Sequence, residues 1–235
     1  MPVVTGVPVS RGLRPGTGAH RRRTALTATL SLALIGVGPS GPSGPAPASR
    51  EVLDRIWRGV VQAQERHASG CGTLTEKRVS PLLVRPLVMH GTFCAAGFDL
   101  FRVEYKGPEP ARIIYNRGAL NVSTDGGKRT EAFDVSRAVQ RAQRYFAGPH
   151  AHENLERDFR VTVAETGDHY ALLLIPVSGR IAGRVKRVAV ELGKLDFLPR
   201  RIEIDGRSGV NSIFEIQIER LDAPLEKDLF EVYRP

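Results

Sequence analysis

Apolar residues recur at helical spacing at the start of the folded part of the chain. Val52, Ile56, Val60 and Ala63, with Trp57 beside them, predict an amphipathic helix over residues 49–66. His67-Ala-Ser-Gly-Cys-Gly ends it, because closely spaced glycines stop helices. From Thr73 onward the period drops to two. Leu74 to Val79 and Leu87 to Ala95 flank a Pro-containing turn, Ser80 to Pro86. Phe101, Val103 and Tyr105 alternate with Arg102, Glu104 and Lys106. Arg112 to Tyr115 and Ala119 to Ser123 flank Asn116-Arg117-Gly118, a hairpin signal. Residues 134–147 return to helical spacing, with Val135, Ala138, Val139, Ala142 and Phe146 in one stripe. Gly148-Pro149 stops that helix. Strands then resume: Phe159 to Val163, Tyr170 to Val177, Val185 to Leu192, Arg200 to Ile204 and Val210 to Ile218. Leu229 to Val232 reads as a short final strand.

The pattern predicts an α+β fold: ten or so antiparallel strands, one helix before them and one inserted. Clean alternation gives each strand one wet face and one apolar face. So many strands in one sheet curl. The expected shape is a strongly curved antiparallel sheet, an incomplete barrel, with helices covering its concave face.

Composition changes this picture little. The chain has 235 residues, 41% hydrophobic and 25% charged, enough to bury a core and stay soluble. Its net charge of +9 invites a nucleic-acid partner, but the distribution argues against one. Residues 1–48 hold five arginines and no acid, and the rest carries 29 basic against 25 acidic residues. A small excess spread over a whole domain sets solubility rather than a partner.

Residues 1–48 read as an export signal and a Pro/Gly-rich linker, followed by one domain over residues 49–235. His20-Arg21-Arg22-Arg23 is a positive segment, and Thr24 to Val37 is an uncharged stretch too short to span a bilayer. Pro39-Ser-Gly-Pro-Ser-Gly-Pro follows, then Ala46-Pro47-Ala48, a small-x-small cleavage pattern. The expected location is the periplasm, reached through a cleavable signal peptide.

Catalytic signatures are missing. The chain has no HExxH, GxSxG or P-loop motif. His150-Ala-His152 offers two imidazoles without a third ligand at useful spacing, so no metal site is expected. The expectation is a protein that is not an enzyme and needs no cofactor, whose working surface is apolar.

Local motifs and their order add a resemblance. Leu74-Thr75-Glu76-Lys77, Gly91-Thr92-Phe93, Leu100-Phe101-Arg102-Val103-Glu104-Tyr105 and the Asn116-Arg117-Gly118 hairpin resemble the LolA family of periplasmic lipoprotein carriers. In the second half, Ala171-Leu-Leu-Leu-Ile-Pro, Val188-Ala-Val-Glu-Leu and Leu198-Pro-Arg-Arg-Ile-Glu-Ile-Asp are similar to the family's later strands. The Arg-Pro pair that members place before the motif Phe falls here on Gly97-Phe98. The resemblance implies an open barrel with a helical lid that takes lipoprotein acyl chains or another lipid and delivers them toward the outer membrane. It also implies an inner-membrane lipoprotein-release transporter and an outer-membrane acceptor as partners. A periplasmic lipid-sensing or accessory module of the same fold is the alternative. A monomer is expected.

Period two places Phe101, Val103 and Tyr105 on the cavity face, with Leu100 pointing the other way unless a bulge intervenes. Val135, Val139 and Phe146 form the helix side of the same space. The two cysteines are expected to pair. The turn between their strands centres near Leu82-Leu83, so opposed residues have numbers that sum to 165, as Cys71 and Cys94 do.

Overall fold

A computed structural model of the chain describes residues 49–107, 110–145 and 151–232. Residues 1–48, read from the sequence as an export signal and linker, and Phe146 lie outside the described residues. Helix α1 spans Arg50–Arg66. Ser49 caps it, its side chain accepting from the Val52 amide, and Glu51 sits in the first turn where the helix dipole favours an anion. Ile56, Gly59 and Ala63 are its buried line.

The strands that follow are β1 Ser69–Val79, β2 Leu87–Ala96, β3 Leu100–Lys106, β4 Ala111–Asn116, β5 Ala119–Thr124 and β6 Arg129–Asp134. Two helices come next, α2 Ser136–Gln143 and α3 Ala151–Asp158. The chain then forms β7 Phe159–Glu165, β8 His169–Pro176, the single turn α4 Gly179–Ala182, β9 Val185–Gly193, β10 Pro199–Gly206 and β11 Asn211–Leu221. All eleven strands make one open sheet in the order β6-β5-β4-β3-β2-β1-β11-β10-β9-β8-β7. Every pairing between neighbours is antiparallel. The sheet is therefore two meanders, one on each side of a seam between the first strand and the last. β6 and β7 stay unpaired with each other, so the curved sheet is an incomplete barrel, the α+β architecture expected.

Four details differ from the sequence pattern. The inserted helix expected over 134–147 starts at Ser136, and a second helix, α3, follows it. Asp134 ends β6, a largely exposed edge strand whose polar start Arg129-Thr-Glu gives no alternation to read. β1 begins at Ser69 and runs through Gly70 and Gly72. Leu229 to Val232 forms a turn and not a strand, with the Leu229 amide bonded to the Glu226 carbonyl and the Glu231 amide to that of Asp228.

Gly72 has a steric role. The β1–β11 register shifts between Cys71 and Gly72, and a Cβ at Gly72 would fall 1.9 Å from the Gln217 carbonyl oxygen. Only glycine lets the two backbones approach this closely. Among the described residues no helix is long and apolar enough to cross a membrane.

Candidate functional site

Directly opposed residues in a sheet share a face. Following the register from strand to strand, Val122, Ile113, Val103 and Phe93 lie on one face. Tyr105, Gly91, Leu74 and Ile216 continue it. Phe214, Ile202, Val190 and Leu172 carry it across the seam into the second meander. Along these positions the inner face is apolar from one meander to the other. The outer face carries Arg102, Glu104 and Arg112, joined by Arg102 Nη2–Glu104 Oε1 and Arg112 Nε–Glu104 Oε1 contacts of 2.6 Å each. The two arginines hold the Glu104 carboxyl below the usual carboxylate range against the opposing effect of burial.

Among the described residues, α1 and α3 pack against one part of the inner face. Ile56 of α1 and Leu155 of α3 are buried with Phe159, Val161, Tyr170, Leu172, Leu174 and Leu192, and Val52, Leu53, Trp57 and Val60 pack against them. The space between sheet and helices that the sequence predicts is filled at this point. Between α1, α3 and β8 there remains about 10 Å³, room for one water molecule at most. Gly59 explains how closely α1 sits. Phe197 lies against it, a Cβ there would come within 2.4 Å of the ring, and Phe197 in turn stacks on Tyr170 with centroids 6.0 Å apart. The α2–α3 corner is fixed by polar contacts: the Tyr145 hydroxyl donates to Asp158 Oδ2 at 2.7 Å, and Arg144 Nη2 donates to the same oxygen at 2.5 Å.

On the other meander, Leu74, Val103 and Tyr105 are buried with Met89, Phe93, Phe101, Ala111, Ile113, Phe214 and Ile216 packed around them. Every member comes from β1, β2, β3, β4 or β11, and no helical residue takes part among the described residues. Met89, Phe93, Phe101, Ile113, Phe214 and Ile216 are only half-buried. The result is a trough of apolar side chains walled by strands. Next to it Tyr115, Leu120 and Val122 form a smaller cluster, contacted by Phe101, Ile113 and Val135.

The trough contains one carboxylate. Glu76 is 2% exposed and lies opposite Met89 and Phe214. Its Oε2 accepts from the Tyr105 hydroxyl at 2.7 Å, and its Oε1 accepts from Arg78 Nε at 3.1 Å and Nη2 at 2.5 Å. An ion buried this far is tolerated only when paired and hydrogen-bonded. Burial first, and then the Glu76 charge, push the Tyr105 phenol far above its ordinary value, so it stays a neutral donor.

The structure brings Phe101, Val103 and Tyr105 together on the trough, with Val103 2% exposed. Val135, just before α2, touches the adjoining cluster. Val139 lies within α2, and Phe146 is outside the described residues. Leu100 falls on the outer face, opposite Ala96 and Asn116, because β2, β3 and β4 pair without a bulge. Cys71 and Cys94 face each other across β1 and β2, where every pair sums to 165, and they form a disulfide. Reasoning from sequence missed Glu76, whose one signal was parity: it shares its face with Leu74 and Arg78. It also missed Phe214 and Ile216, which join the trough only through the seam.

No protein-family profile matches the chain, and no curated protein matches it in sequence. Among solved structures, the chain is similar to a LolA superfamily protein from Nitrosomonas europaea, at 12% identity over 77% of this chain and 97% of that one, with a TM-score of 0.38. It is similar to the Mycobacterium tuberculosis lipoprotein LppX at 10% identity over 76% and 99%, TM-score 0.45. The third is a chain of the Pseudomonas aeruginosa MucA/MucB complex, at 12% identity over 77% and 61%, TM-score 0.47. The similarity is one of fold.

Proposed function

We propose that the chain is a non-catalytic, exported protein that binds the acyl chains of a lipoprotein or another lipid in the strand-walled trough. The observation that carries this reading is the half-buried apolar cluster around Val103 and Tyr105, in which no helical residue takes part among the residues whose side chains are described. An apolar surface of that size left half-open costs free energy in water, and an acyl chain laid along it recovers about 0.8 kcal/mol per buried methylene. Displacement of α1 and α3 would extend the same surface across the seam, since the inner face is continuous there. The positive segment and uncharged stretch of residues 20–37 support export, and a disulfide suits an oxidising compartment. Carriage of lipoproteins from an inner-membrane transporter to an outer-membrane acceptor is the role the sequence resemblance implies, and we extend the proposal to it.

The test is binding of palmitate carrying a fluorophore to delipidated full-length protein, together with mass spectrometry of lipid that co-purifies. The expected result is saturable binding that Phe101→Asp weakens about tenfold or more while the protein stays folded. Protein that binds no acyl probe and carries no lipid would overturn the reading.

A further inference from the structure

The β1–β2 turn breaks the ordinary rule for surface loops. Leu82 is 92% exposed and Val84 fully exposed, with Leu83, Val79 and Val88 also exposed beside them. Polar residues would fill such positions at no cost to the fold, so three consecutive apolar residues at a loop tip point to a contact outside the chain. Pro81 and Pro86 bracket the tip and restrict it, and the Leu83 amide closes its first turn on the Ser80 carbonyl at 3.0 Å.

The tip stands beside a basic corner. Pro81 lies against Gly209 in the β10–β11 turn, close enough that a Cβ there would come within 2.8 Å of the proline ring. That turn is tied to the α4 corner: the Arg207 amide donates to the Arg184 carbonyl, and Arg207 Nε donates to the Ala182 carbonyl, each at 2.8 Å. Arg85, Arg180, Arg184 and Arg207 are all exposed around this end of the sheet. Of the carboxylates at the same end, Asp125 is matched by Arg129 and Asp205 by Lys186 and Arg187, so the arginines remain in excess among the described residues.

We propose that this end of the sheet docks on an anionic lipid bilayer, with Leu82, Leu83 and Val84 entering the interface and the four arginines facing lipid phosphates. A narrow apolar tip inside a basic collar matches a membrane surface, where apolar burial and attraction to anionic headgroups act together. Three apolar residues at the tip of a turn suit insertion into a lipid interface better than a flat protein contact, which takes roughly 800 Å² from each partner. This docking surface is separate from the trough and does not rest on it.

The test is flotation of the full-length protein with vesicles of phosphatidylcholine alone or mixed with phosphatidylglycerol. Residues 24–37 are themselves apolar, so the readout is the difference between the protein and its variants, which all share that segment. Leu82→Ser with Val84→Ser should lower partition onto the mixed vesicles about tenfold or more. Arg85→Glu with Arg207→Glu should lower it by a similar factor there, leave the neutral vesicles unaffected, and remove most of the salt dependence. Palmitate-probe binding retained by both variants shows that they are folded and keeps this outcome apart from that of the trough. Equal partition of either variant and the unaltered protein, or no partition of the unaltered protein onto the mixed vesicles, would overturn the proposal.

Discussion

A carboxylate on an apolar sheet face is stable only through its partners, and Glu76 has two. Tyr105→Phe removes one of them and leaves Glu76 Oε2 buried without a donor. The expected loss is about 1–3 kcal/mol in a denaturant melt, with the Arg78 contact keeping the site from collapse. The disulfide is the other residue-scale determinant. It closes a separation of 23 residues, and in the chain-entropy model that contributes roughly 3 kcal/mol. Cys71→Ser with Cys94→Ser should lower stability by about that amount, and addition of reductant to the unaltered protein should do the same. The two features differ in how readable they were. The cysteine pairing follows from the symmetry of one turn, so arithmetic on the sequence reached it. The Glu76 site depends on Tyr105 meeting it from β3, which is not adjacent to β1, across the glycine at position 91. Local alternation shows only that a charged residue has core parity, not what satisfies it.

At the scale of elements, α1 is the part most open to test, because it holds the only tryptophan of the chain, Trp57. A mid-helix glycine costs about 1 kcal/mol relative to alanine, yet Gly59 is required by the Phe197 ring pressed against it. Gly59→Val should force α1 off the sheet at a cost of about 1–3 kcal/mol, shifting Trp57 emission to the red while far-ultraviolet dichroism keeps its strand signal. The link between α1 and β1 is held by Asp222, whose Oδ1 accepts from the Ala68 amide at 2.7 Å and whose Oδ2 meets His67 Nδ1 at 2.7 Å. The His67 contact, ahead of the opposing effect of burial, lowers the Asp222 carboxyl below its ordinary value. A depressed carboxylate stabilises the fold above its unfolded-state value, and the effect fades as pH falls through the folded-state value. Stability of the unaltered protein should therefore decline on acidification below about pH 4, and Asp222→Ala should lose that portion already at neutral pH. The long helix α1 and most strands were legible because their apolar periods are strong. α3 was not, since Ala151-His-Glu-Asn-Leu-Glu-Arg-Asp carries only Ala151 and Leu155 as apolar positions, too few to set a period.

The whole molecule is two meanders joined where β1 meets β11, and no local signal marks that junction. Hairpins announce themselves in sequence through turns; a pairing between the first and last strands does not. The trough inherits this limit, because Phe214 and Ile216 reach it from the far end of the chain. The seam also sets an order of events. Residues paired across it are 132 to 151 positions apart, from Val79 with Asn211 to Gly70 with Leu221. Pairings this distant form slowly, because chain ends must meet before any contact repays the lost freedom. A permuted chain opened between α2 and α3, with its old ends joined by a linker, brings β11 and β1 close in sequence. It should refold faster by roughly an order of magnitude in stopped-flow experiments, with the disulfide reduced in both proteins. In the natural order, β1 keeps one edge unpaired until the last strand arrives. A polypeptide threaded through a membrane from its amino end would then stay pliable until almost all of it had crossed, and would become rigid only on release.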